Sequence, residues 1–79
     1  MKIIRVRQHA IDRARERFQA TGTDEEIAND LEQILNQAKR TRTTRAAIEY
    51  EHGTKRIRTI EKKDYVEIIT VFNENDPWQ

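Results

Sequence analysis

The chain has no cysteine, one proline, two glycines and two histidines in 79 residues. Without cysteine, neither a disulfide nor a thiolate metal site can staple the domain. His9 and His52 are a poor basis for a metal site built on histidines. Gly22 and Gly53 stand too far apart to form a glycine-rich phosphate loop. No apolar run approaches the ~20 residues a membrane-spanning helix needs. The opening MKIIRVRQHA carries Arg5 and Arg7 where a secretory segment would stay apolar. No paired-carboxylate or serine-nucleophile signature stands out. The expectation is a single domain over 1–79, cytoplasmic, with no cofactor, no metal and no membrane contact.

What is present is charge. Asp, Glu, Lys and Arg make up 37% of the chain and apolar residues 35%, with a net charge of +1. The near balance hides segregation. Residues 1–23 carry six bases against two acids, and residues 24–38 carry five acids and no base. Residues 39–63 carry nine bases against three acids, and residues 64–79 carry four acids and no base. Local potential steers a polyanion, so a basic surface is compatible with this net charge. A chain of this size buries only roughly 60–65% of its unfolded surface. With disulfides excluded and little basis for a metal, a partner subunit, for example in a homodimer, is the remaining way to complete a thin core.

The apolar residues follow two periods. KIIRV, residues 2–6, reads as a strand. A helix follows from about His9 to Gln19, with Ile11, Ala14 and Phe18 on one face and Gly22 as the residue that ends it. Thr23 and Glu26 form a capping box for a second helix. Its stripe is Ile27, Leu31, Ile34, Leu35 and Ala38, with Lys39 and Arg40 at its negative end. From Thr43 the period becomes two. EHGT reads as a hairpin turn, KRIRTI as a strand whose alternation slips between Ile57 and Ile60, and EKKD as a second turn. A bulge would account for the slip. YVEIITVF, apolar on both faces, reads as the central strand. Residues 73–79 read as a polar tail, in which Pro77 stops any strand and Trp78 packs on the sheet or marks a contact. The order β-α-α-β-β-β implies an α+β domain with two helices on one face of an antiparallel sheet.

The candidate chemistry lies on the first helix. His9, Arg13 and Arg17 are four residues apart, so they form one ridge beside Ala10 and Ala14. Arginine presents a fork that matches phosphate oxygens, and histidine exchanges protons near neutral pH. Together they supply what metal-independent RNA cleavage by a ribose 2′-hydroxyl requires. The same residues also suit a solvated helix, with Arg13–Glu16 and Asp12–Arg15 as ordinary surface pairs. Two further basic groups are Lys55, Arg56 and Arg58 in TKRIRT, and Lys39, Arg40, Arg42 and Arg45 in KRTRTTR. In a regular strand Lys55 lies on the opposite face from Arg56 and Arg58. These bases either meet RNA or protect an edge strand from aggregation. His52, in a turn, reads as exposed and idle.

HAIDRARERF resembles the His-Ala-x-x-Arg-x-x-Glu-Arg helix of small bacterial and phage proteins related to BrnT-type and RelE-type toxins. The motif falls on His9, Ala10, Arg13, Glu16 and Arg17. The resemblance implies a RelE-like fold and a toxin-like, metal-independent endoribonuclease or RNA-binding protein with an antitoxin partner. It nominates His9, Arg13 and Arg17 as catalytic. Lys55, Arg56, Arg58, Arg42, Arg45 and Thr70 are the candidates for RNA contact. Two departures stand out: Arg7 precedes the histidine where relatives carry a small polar residue, and FQATGT follows the Glu-Arg pair where relatives turn with glycine. The alternative is a non-catalytic phage or bacterial binding module or inhibitor whose charged surface engages a protein partner; fold alone does not decide.

Overall fold

Two helices and five strands are described over residues 3–76 of the computed structural model, and both periods of the sequence account for them. Helix α1 spans Gln8–Arg17 and α2 spans Asp24–Gln37. The capping box at α2 is present. The Glu26 N–H donates to Thr23 Oγ1 at 3.2 Å, and the Thr23 N–H donates to Glu26 Oε1 at 3.1 Å. Ile27, Leu31 and Leu35 of α2, and Ala10, Ile11 and Ala14 of α1, are buried. The left-handed residue just beyond α1 is Gln19, at φ 56°, and not Gly22. Gly22, at φ 109°, lies further along the connection, where an added Cβ would meet the Glu26 carboxylate at 3.2 Å.

The strands are β1 (Ile3–Val6), β2 (Lys39–Thr43), β3 (Ile48–His52), β4 (Lys55–Glu61) and β5 (Tyr65–Asn73), in the sheet order β1-β5-β4-β3-β2. The α+β class and the run of helices followed by strands hold, with two corrections. First, the sheet is mixed, because β1 pairs parallel to β5. Second, residues 39–43 form a strand where the sequence suggested a helix end and a connection. Ala38 is already extended, at φ −79° and ψ 158°, so Lys39 and Arg40 leave the helix and pair with Glu51 and Tyr50 of β3. The strand partner decides this, since cross-strand contacts outweigh weak local preference. Residues 44–47 are the turn, closed by the Thr44 N–H donating to the Ala47 carbonyl at 2.8 Å. The strand nearest the middle of the sheet is β4, while β5 is an interior strand beside it.

The slip between Ile57 and Ile60 is one of residue type, because the alternation of β4 is unbroken and the bulge expected there lies on the neighbouring strand. The pairing of β4 with β5 shifts between Arg58↔Thr70 and Thr59↔Ile68, so the extra residue is Ile69, on β5. Thr59, fully buried, takes the inward position beside Ile57, and its hydroxyl donates to the Ile48 carbonyl at 3.0 Å. Strand alternation then places Ile60 on the other face.

One sheet face carries Ile57, Thr59, Ile68 and Val71, and the buried residues of both helices pack on it as one core. The opposite face has no helix. Its rows run Arg42, Glu49, Arg58, Thr70 and Lys39, Glu51, Arg56, Phe72. Phe72 is nonetheless only 5% exposed, because the Arg58 guanidinium lies 5.3 Å from its ring centroid. Long arginine stems cover apolar surface while the heads stay wet. No described helix is long and apolar enough to cross a membrane. Trp78, Pro77 and the last residues of the polar tail lie outside the described residues.

Candidate functional site

The ridge on α1 does not act as a unit, and helix geometry explains why. Each four-residue step turns about 40° around the axis. From His9 to Arg17 the ridge therefore drifts toward the buried face. His9 is exposed and makes no side-chain hydrogen bond or ion pair. Arg13 is half-buried and pairs with Glu16. Arg17, with 19% of its side chain exposed, donates from Nη1 to the Val71 carbonyl at 3.0 Å. Its own carbonyl accepts from Asn73 Nδ2 at 2.7 Å, and its Nε lies 3.9 Å from Asp76. β1 pairs with β5 only as far as Ile68. Beyond it, Arg17 holds the free edge of β5 to α1. The hollow beside Arg13 and Arg17, of about 420 Å³, is completed by Glu16 and Asp76 and not by His9 or a strand base.

The strand bases are also committed. Arg58 donates to Glu49 Oε2 from Nε at 2.9 Å and from Nη2 at 2.7 Å. Arg56 Nη2 lies 3.2 Å from Glu51 and 3.7 Å from Glu74. Lys55 is on the helix face, 5.3 Å from the Phe18 ring centroid, as strand alternation predicts. Thr70 sits half-buried opposite Arg58. Arg7 pairs with Glu67 at 2.9 Å. Arg15 bonds Asp24 at 2.7 Å, not Asp12, which accepts from Gln8 at 3.1 Å. The Arg15 hydrogen bond holds the Asp24 carboxyl below its usual range, and the Thr23 backbone hydrogen bond does the same for Glu26.

Among the described residues, five cations make no side-chain ion pair, hydrogen bond or ring contact: Lys39, Arg42, Arg45, Lys62 and Lys63. The first three follow the edge strand β2, every residue of which is exposed, into the β2–β3 turn. Lys62 and Lys63 belong to the β4–β5 turn. Residues 43–48 and 60–63 line one open cleft of about 620 Å³, so both turns border it. Arg42 lines a smaller hollow alongside, of about 240 Å³, with Thr44 and Glu49. The sequence marked Arg42 and Arg45 but took Lys62 and Lys63 only as turn residues. The available signal was that EKKD offers two adjacent bases in a turn, beside a run from Gln33 to Ile48 with no acid at all.

The fold and this rim together define a small α+β domain with a cationic sheet end. No protein-family model, curated protein or solved structure matches the chain.

Proposed function

We propose that this protein is a non-catalytic RNA-binding module that holds phosphates on the rim formed by Arg42, Arg45, Lys62 and Lys63, with Lys39 further along β2. One observation carries the reading. These side chains are free of acidic partners, while Arg7, Arg13, Arg15, Arg17, Arg56 and Arg58 all have one. A guanidinium already bonded to a carboxylate must give up that pair before it binds phosphate, whereas a free one exchanges only water and counterions. A RelE-like relationship is part of the proposal, supported by the helix motif at His9–Arg17 and by the two helices that follow a first strand and precede a run of strands. The cleavage reading has less support. Proton transfer by His9 needs a phosphate held beside it, yet Arg13 and Arg17 are paired to carboxylates or carbonyls.

A protein partner is the second reading, favoured by the full exposure of β2 at the sheet edge. An acidic extended segment would satisfy both its charges and its outer backbone groups. A second copy fits less well, because antiparallel pairing of two β2 strands sets bases against bases.

The test is fluorescence anisotropy with labelled RNA over a salt series, using the wild type and the quadruple variant R42E/R45E/K62E/K63E. The expected result is wild-type binding that weakens as salt rises and is lost in the variant. In parallel, RNA is incubated in chelator with wild-type and His9→Ala protein. Intact RNA with both is expected. Cleavage by the wild type that His9→Ala abolishes would refute the non-catalytic reading. Equal binding by wild type and quadruple variant would refute the rim.

A further inference from the structure

The described rings set a limit on which nucleic acid this rim recognises. Proteins that hold single strands stack bases on exposed aromatic faces. The chain has five aromatic residues, and four of them, Phe18, Tyr50, Tyr65 and Phe72, are described. Each has a cation of its own against the ring. Arg5 stands 4.4 Å from the Tyr65 centroid and Arg40 5.9 Å from that of Tyr50. Lys55 and Arg58 stand 5.3 Å from Phe18 and Phe72. None of the four lines the main cleft, whose walls are Thr43–Ile48 and Ile60–Lys63. A base entering there finds alanine, threonine, isoleucine and the Glu61 carboxylate beside the cations, but no ring.

The cations, by contrast, are arranged in two groups. Arg42 and Arg45 come from the β2–β3 hairpin, and Lys62 and Lys63 from the β4–β5 hairpin. The two hairpins lie side by side in the sheet. Their centres are therefore two strand spacings apart, about 10 Å. Two cationic prongs across an open cleft match two rows of phosphates flanking a groove, and A-form RNA has a deep, narrow groove of that kind.

We infer that the rim binds double-stranded RNA through its two phosphate rows, without reading bases. This rests on the RNA-binding reading above and narrows it. Four phosphate contacts give a salt slope near −3.6 on log–log axes, so affinity falls roughly 150-fold between 50 and 200 mM salt. Because the prongs touch phosphates alone, scrambling the sequence of the duplex leaves affinity unchanged.

The experiment compares a blunt RNA duplex of about 16 base pairs, a length two successive grooves require, with either of its separated strands, a scrambled duplex and the matching DNA duplex. Anisotropy is read with wild-type protein, R42E/R45E/K62E/K63E, and Trp78→Ala, the last because Trp78 is the remaining aromatic. The expected result has four parts. The RNA duplex binds at least about tenfold tighter than the single strand. Its scrambled form binds equally. The quadruple variant loses the binding, and Trp78→Ala keeps it. Single-strand binding as tight as duplex binding, or dependent on Trp78, would overturn the duplex inference and leave RNA binding standing. Tighter binding of the DNA duplex would overturn the choice of RNA. Failure of every nucleic acid to bind would remove both this inference and the function it rests on.

Discussion

Replacing Arg17 by alanine tests whether this motif residue is structural. In the structure it holds α1 to the part of β5 that β1 does not cover. Its guanidinium donates to the Val71 carbonyl at 3.0 Å and stands 3.9 Å from Asp76. A hydrogen bond from a charged donor contributes about 1.5–3 kcal/mol. The long Asp76 pair adds a few tenths at most at a partly exposed site. The stem is also mostly shielded from water, so its removal costs a little more. Water can reach the freed carbonyl after truncation, which returns part of the loss. The expected destabilisation is about 2 kcal/mol, or a fall in Tm of roughly 8–16 °C for a domain this size. Urea unfolding followed by circular dichroism measures it. His9→Ala is the control, and with no bond to lose it should shift stability by less than about 0.5 kcal/mol. Arg17→Lys should recover part of the loss, because a lysine still supplies one charged donor. An Arg17→Ala protein as stable as the wild type would refute the role assigned to this side chain and return it to the list of candidates for phosphate contact.

Three other outcomes follow from the same contacts. Leu31→Ala, at a position almost wholly inaccessible to solvent, should cost about 2–5 kcal/mol and leave so small a domain largely unfolded at 37 °C, as read by near-ultraviolet circular dichroism. Thr23→Ala removes the cap of α2 and should cost about 1 kcal/mol, visible as a lower urea midpoint with unchanged slope. Asp24 and Glu26 both have carboxyls held below their ordinary values in the folded chain. In acid the unfolded state therefore binds protons first, and stability falls as pH drops below about 4–4.5 through the depressed folded values. Unfolding in urea across that range should show the decline, and Glu26→Gln should make it shallower.

Much of the local structure is legible in the sequence alone. The capping box at Thr23 and Glu26, the stripe Ile27–Leu31–Leu35, and the turn at Gly53 with φ 63° each depend on residues a few positions apart. Such signals survive folding because neighbours along the chain stay neighbours. A bulge at this pair of strands is legible too, but not the strand that carries it. The extra residue proved to be Ile69 of β5, since a bulge belongs to a pair of strands and one strand's pattern cannot say which partner carries it. In KRTRT, Lys39 and Arg40 suit a helix terminus and the rest suits a connection, so the sequence alone does not mark a strand there. This segment became β2 because the backbone of β3, from Ile48 to Glu51, was there to pair with it.

The candidate site divides the same way. Composition and spacing determined by themselves that the chain carries clustered bases, that disulfides and thiolate metal sites play no part in it, and that two helices stand between a first strand and a run of strands. Folding decided which bases are free. Arg13 took Glu16, three residues on, as its spacing indicated, but Arg17, Arg56 and Arg58 found carboxylates or a carbonyl on other strands and beyond β5. Lys62 and Lys63, distant in sequence from Arg42 and Arg45, came to share a cleft with the β2–β3 turn. A charge is available for binding only when nothing nearby neutralises it, and nearness in space is set by strand pairing, not by position in the chain.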